Sequence, residues 1–168
     1  MPRFFLCLLA ALSFIAWMIM VLYNGIMFDI KMGDYLKRAA DANTIELALD
    51  NLTTALRYAQ FEKLTSGNTG VLWKTPARDV GFWNQNLRAS YLELVRVQPE
   101  ATQLEKSNIL LKLRETLLDH GPDGDTVTIP PEISLFPENA LYFWWGWLSA
   151  VLVIVSFGVA GIRKFRNY

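Results

Sequence analysis

Apolar residues along this chain fall into two unbroken blocks, with patterned stripes between them. Phe4 to Met27 and Ala140 to Ile162 contain no charged residue. Each block exceeds the roughly 20 residues needed to cross about 30 Å of hydrocarbon as a helix. In lipid every backbone N–H and C=O must be bonded within its own segment, so both blocks are expected to be helical. Between them the period changes to that of amphipathic helices. Ile45, Leu49, Leu52, Leu56 and Ala59 recur at steps of four and three, which predicts a helix from the Asn43-x-x-Glu46 capping box to about Lys63. The Ser66-Gly67-Asn68-Thr69-Gly70 cluster breaks it. A second helix starts after Pro76 with Asp79 as N-cap, carries Trp83, Leu87, Tyr91 and Leu94, and stops at Gln98-Pro99. A third starts at Thr102-x-x-Glu105, carries Leu104, Leu111 and Leu118 with Leu110, Leu113 and Leu117 beside them, and ends at His120-Gly121-Pro122. Met32, Tyr35, Leu36 and Ala39 extend the first block as a fourth helix.

The stretch 121–139 holds Pro122, Pro130, Pro131 and Pro137 and reads as an extended linker. Its alternating Thr126-Val127-Thr128-Ile129 is too isolated to form a sheet alone. The expected fold class is therefore all-α: two transmembrane helices (4–28 and 140–162) flanking an extracytoplasmic three- or four-helix antiparallel bundle (29–120). The Pro-rich linker 121–139 and a basic cytoplasmic tail 163–168 complete the chain.

Charge adds an orientation. Arg3, Arg163, Lys164 and Arg166 lie outside the two blocks with no acid beside them. The other twelve Lys/Arg and all 16 Asp/Glu lie between the blocks, a net charge of −4. The positive-inside rule then puts both termini in the cytoplasm and the middle outside, in a periplasm, a thylakoid lumen or an extracellular space. Tyr142, Trp144, Trp145 and Trp147, with Arg163, Lys164 and Arg166, are the expected interface anchors. A signal peptide also begins with a basic residue and an apolar run. Its apolar core is shorter and ends at a small-residue cleavage site, whereas this run ends Tyr23-Asn24-Gly25-Ile26-Met27-Phe28. An uncleaved anchor is expected.

Candidate chemistry is sparse. Cys7 is the chain's one cysteine and lies inside the first block, so no intrachain disulfide can form. His120 is the one histidine, placed to complement a helix C-terminus rather than to serve a triad. The run Asp119-His120-Gly121-Pro122-Asp123-Gly124-Asp125 is rich in oxygen ligands. The twelfth position of a calcium loop would fall on Pro130 or Ser134, and the pattern fails. Asn51-Leu52-Thr53 matches a glycosylation acceptor only by pattern, because Leu52 belongs to a buried stripe. No phosphate loop, dinucleotide fingerprint or basic nucleic-acid patch is present. No catalytic residue, metal ligand or cofactor is expected.

The loop from Leu72 to Asn84 is the most informative stretch. Trp73, Lys74, Arg78, Phe82 and Trp83 combine aromatics with cations, the composition of binding hot spots. They are the candidate partner-binding residues; the plainer reading is that the tryptophans plug the end of the bundle and Arg78 is merely exposed. Small residues four apart (Gly146 and Ala150, Ser156 and Ala160, Cys7 and Ala11) suit close helix approach.

The runs SGNTGVLWKTPARDVGFWNQNL, PEATQLEKSNILLKLRETLLD and PPEISLFPEN resemble a family of small, uncharacterised bacterial two-span membrane proteins, cyanobacterial ones among them. The likeness covers about Asp34 to Trp147. It implies architecture and no mechanism, and no functional residue carries over from it. The resulting expectation is a non-enzymatic membrane protein whose outer domain mediates protein–protein interaction or assembly. Its expected partners are the lipid bilayer and another membrane or periplasmic protein, with self-association open. The alternative is a ligand-sensing module signalling laterally through its spans; a filled bundle disfavours it and a cavity favours it.

Overall fold

A computed structural model describes residues 2–97, 100–122 and 124–166, with side chains over 5–156 except 98, 99 and 123. The expected stop at Gln98-Pro99 and the side chains of Arg3, Arg163, Lys164 and Arg166 lie outside the described residues. The chain is mostly helical. Helices α1 (Pro2–Phe28) and α6 (Asn139–Arg166) are each long and apolar enough to cross a membrane. Between them come α2 (Asp34–Ala40), α3 (Ile45–Phe61), α4 (Val80–Val95) and α5 (Gln103–Leu117).

Helix α1 runs into α2 without a break, through one π-helical turn at Asp29–Gly33. The buried positions Phe28, Met32 and Leu36 are spaced by four. On a 3.6-residue helix such steps drift by about 40° each. The wider π turn takes up that drift and keeps the row facing α3. The core then gathers Leu36, Ala39, Ala48, Leu52, Ala55, Val80, Leu87, Leu94, Leu113 and Leu117 from α2 through α5. Small Ala48, Ala55 and Ala59 on α3 let its neighbours approach closely.

Local signals set most of the ends. Asp79 accepts from Phe82 N at 2.9 Å and starts α4. Thr102 and Glu105 form the full capping box of α5. Helix α3 ends in a Schellman arrangement. Lys63 is left-handed (φ 59), Lys63 N bonds Gln60 O, and Leu64 N bonds Ala59 O, which buries Leu64. The start of α3 is one residue later than expected: Thr44, not Asn43, is the N-cap, accepting from Leu47 N. Cap residues stand side by side here, and the choice of Thr44 makes the buried Ile45 the first helical residue.

Two larger expectations are corrected. On α5, Leu104 and Leu111 are exposed; Leu113 and Leu117 carry the packing. The helix also stops at Leu117 rather than at His120. The chain then forms an antiparallel hairpin of β1 (Leu118–Gly121) and β2 (Gly124–Val127), a short addition to a mostly helical chain. The partner that Thr126 and Val127 lacked in the sequence reading is the segment assigned there to the helix end. Leu118 pairs with Val127 and is buried, which anchors the hairpin on the core. The Trp83 indole donates to Thr128 O at 2.9 Å and ties α4 to the strand exit.

The stretch after the hairpin is not a free linker. It makes a 3-10 turn at Ile133–Leu135, buries Ile133, and packs that turn on α1. Asn139 Nδ2 then donates to Glu132 O at 2.7 Å where α6 begins.

Candidate functional site

Where the long helices meet the rest of the chain, three segments converge: the upper parts of α1 and α6, the loop 65–79, and the strap 130–139. The first contact is between the long helices. Trp17 Nε1 donates to Tyr142 O at 2.8 Å, Asn24 Nδ2 to Tyr142 Oη at 3.1 Å, and Trp145 Nε1 to Ser13 Oγ at 3.0 Å. Partners rise along α1 as they fall along α6, so the two helices are antiparallel. The Trp17 ring lies directly over Gly146, with a Cβ there falling 2.6 Å from the indole.

The loop is closed on itself. Thr69 N donates to Arg78 O, Val80 N to Gly67 O, and the Asn68 side chain bonds Thr75 O and Gly70 N. Gly67 adopts φ +112, and Phe136 of the strap sits 2.8 Å from where its Cβ would be. Both facts require glycine there. The loop is clamped to the strap by Arg78, whose guanidinium holds Glu132 in a two-bond ion pair at 2.6 and 3.3 Å. Glu132 is itself left-handed (φ 54), a conformation a non-glycine keeps only where its surroundings fix it. The Arg78 pair and the Asn139 bond to Glu132 O do so.

A cavity of about 560 Å³ lies at this junction. Trp17, Val21, Leu135 and Phe143 give it an apolar side; Thr69, Arg78, Glu132 and Asn139 give it a polar side; Trp73 stands beside it. Thr69 Oγ1 and Asn139 Oδ1 are buried with no hydrogen-bond partner. Glu132 O can only accept, so the Asn139 nitrogen must face it and Oδ1 is the orphan.

The expected binding residues are therefore divided. Trp73 (76% exposed), Lys74 and Phe82 (62% exposed) face solvent. Trp83 is a core residue at 6%. Arg78 is not a free surface cation but the clamp on Glu132. Of the expected anchors, Trp144 and Trp147 are exposed, whereas Tyr142 and Trp145 turn toward α1. Thr69, Glu132, Asn139, Trp17 and Asn24 were not singled out in the sequence. Asn24 and Trp17 carry a faint signal, as hydrogen-bonding groups inside an apolar run.

His120 belongs to the hairpin, not to a helix end. Its Nδ1 lies 2.6 Å from Asp125 Oδ1, and Arg114 Nη2 donates to Asp125 Oδ2 at 2.8 Å. Arg114 also faces Asp41, the C-cap of α2, at 3.7 Å. Hydrogen bonding from His120, then from Arg114, pulls the Asp125 carboxyl down to about 2. The unfolded value is near 3.9, so this pairing stabilises the fold fully above about pH 4 and is lost as pH falls through about 2. The thermal midpoint of Asp125→Asn in detergent is expected to lie below the parent at pH 5. That margin should shrink steadily between pH 4 and pH 2. A margin independent of pH would dismiss the pairing as its source.

Among the described residues no group of three or more His, Cys, Asp or Glu converges as a metal site would require. Comparison with family models, with curated proteins and with solved structures finds no match.

Proposed function

We propose that the chain is a two-span membrane protein whose helical head, carried between the spans, is a non-enzymatic module for assembly with another membrane or periplasmic protein. The observation that carries the membrane reading is the surface of the long helices. Leu9, Leu12, Ile15, Ile19 and Leu22 on α1, and Leu148, Leu152 and Ile154 on α6, are exposed. Only 6% and 17% of the two apolar windows are buried, whereas the core helix of a soluble protein is mostly covered. Ser13, Trp17 and Asn24 of α1 bond Tyr142 and Trp145 of α6, so these polar groups are satisfied between the helices, as hydrocarbon demands. The charge bias supports termini inside and the head outside.

The interaction reading rests on Trp73, on a loop that is otherwise tightly bonded, and Phe82, on the first turn of α4, large aromatics that are both left exposed. Arg78 is no clean probe of it, because its loss also frees the strap. Phe82→Ala is. It should leave the thermal midpoint nearly unchanged yet reduce recovery of a cross-linked partner by about thirtyfold, the loss of a hot-spot residue. Topology has its own test. A reporter active only outside the cytoplasm, inserted at Pro122 in the exposed hairpin turn, should be active, and one fused at Tyr168 should be silent. The reverse pattern would overturn the orientation, and extraction by carbonate would overturn the spans.

A sensory role is the second reading. The core among α2 to α5 is filled at Leu36, Leu52, Leu87 and Leu117, each within 2% of full burial, and the space between these helices is confined to open clefts at their surface. The junction cavity is the observation in its favour.

A further inference from the structure

The contact between the long helices sets a depth for the loop beside it. Counted from Phe4 at about 1.5 Å per residue, about 30 Å of hydrocarbon ends near Asn24 on α1. Counted back from Ile162, the same thickness ends near Tyr142 on α6. The two counts meet in one bond, from Asn24 Nδ2 to Tyr142 Oη at 3.1 Å. Trp17 and Val21 therefore lie on the bilayer side of that level. The tip of the loop faces them: Val71, Leu72 and Trp73 line the junction cavity together with Trp17, Val21 and Phe143. This tip is apolar and open, with Leu72 52% and Trp73 76% exposed. Its direction is fixed, because bonds from Thr69 N to Arg78 O and from Asn68 Nδ2 to Thr75 O close the loop behind it. The segment from Lys63 to Arg78 carries three cations and no acid, in a region between the spans whose net charge is −4.

We propose that Val71, Leu72 and Trp73 seat in the phospholipid leaflet on the head side of the membrane that the long helices cross. The inference rests on the two-span reading given above. The chemistry of the tip is that of an interface anchor. An indole puts its apolar body among acyl chains and its N–H toward water, and the neighbouring Lys74 can bury its stem while its ammonium stays at the phosphates. With no acid in the segment, nothing opposes that approach. Loop backbone cannot enter hydrocarbon without partners, so the side chains of the tip enter and the chain itself stays at headgroup level. Trp144 of α6, next to Phe143 and 60% exposed, extends the same belt from a second element. A protein partner at this level would itself have to lie in the leaflet. The exposed aromatics of the candidate site then divide: Trp73 meets lipid, and Phe82 on the first turn of α4 is left for a protein partner.

The test uses the full chain with Cys7→Ala in phosphatidylcholine nanodiscs, carrying a single nitroxide at Leu72→Cys or at Trp73→Cys. Ile15→Cys on α1 is the reference for hydrocarbon. Leu111→Cys is the reference for water: a leucine of like exposure, 56%, on α5, which packs on α2 beyond the span. Power-saturation EPR reads collisions with oxygen, which concentrates in lipid, and with a water-soluble nickel chelate. The oxygen-to-nickel ratio at the Leu72 and Trp73 positions should lie several-fold above that at Leu111 and below that at Ile15. Adding Leu72→Asp to the chain labelled at Trp73→Cys should lower the ratio there, because a carboxylate resists entry into the leaflet. Ratios at Leu72 and Trp73 equal to that at Leu111, with a high ratio at Ile15, would put the tip in water, open to a protein partner, and overturn the proposal while the spans stand. A ratio at Trp73 unmoved by Leu72→Asp would also overturn it. Ratios as low at Ile15 as at Leu111 would overturn the spans themselves.

Discussion

Leu52→Ala is expected to destabilise the helical head by about 2–5 kcal/mol, the range for truncating a fully buried leucine. Leu52 is 0% exposed and sits on α3, the helix that packs against α2, α4 and α5 at once. Removing its terminal isopropyl group leaves space that no single neighbour can close. Leu113→Ala on α5, at 3% exposure, should fall in the same range. The informative control is Leu104→Ala. It makes the same chemical change in a helix, with the same small gain in helix propensity, at a position 71% exposed. Its effect should stay within about 0.5 kcal/mol. Denaturant unfolding of the three variants in one detergent gives the comparison. Equal costs at Leu52 and Leu104 would refute the packing described for α3 and α5.

That pair of leucines also marks where the sequence was legible. The α3 stripe could be read in part: Ile45, Leu52 and Ala59 are buried as expected, whereas Leu49 and Leu56 are only partly buried and Ala48 and Ala55 complete the buried face. On α5 the leucines at 104, 110, 111, 113 and 117 fit two faces, and only the approach of α2 and α4 chooses between them. Caps bonded within three residues, Asp79 and Thr102 with Glu105, were readable because both partners lie in one turn of chain. The hairpin was not, because its strands gain their stability from Leu118 in the core and from Asp125 bridging His120 and Arg114. Taken alone, Asp119-His120-Gly121-Pro122 has every mark of a helix stop. The candidate site was legible as a composition, in the aromatic and cationic residues of 72–84, but not as a geometry. Arg78 and Glu132 are 54 positions apart, and nothing local announces the clamp. The burial of Thr69 Oγ1 and Asn139 Oδ1 without partners depends on how loop and strap meet, which no spacing encodes.

The contact between the long helices can be tested at Gly146, where the expected effect is also large. A Cβ at this position would lie 2.6 Å from Trp17 Cε2 and Cζ2 and 3.0 Å from Nε1. Such distances force movement, and the question is which group yields. The indole has little freedom. Its Nε1 is bonded to Tyr142 O at 2.8 Å, and its ring stacks on Phe14 at 5.5 Å. Swinging the ring away breaks the bond to Tyr142; holding it drives α6 outward and strains the neighbouring Trp145–Ser13 bond. Either way Gly146→Ala should cost about 1–3 kcal/mol, the usual penalty for overpacking a close contact, and Gly146→Leu more. Trp17→Phe is the complementary change, smaller in ring and without the N–H. On its own it should destabilise. In the Gly146→Ala background it should restore part of the loss, with a coupling energy of about 0.5–3 kcal/mol between the two sites. Thermal unfolding of the parent, both single variants and the double variant in detergent closes the cycle. Additive effects would mean that the two residues do not touch. Coupling would establish that the space above Gly146 exists for the indole, and hence that the small residue at 146 serves contact within this chain rather than contact with a partner's helix.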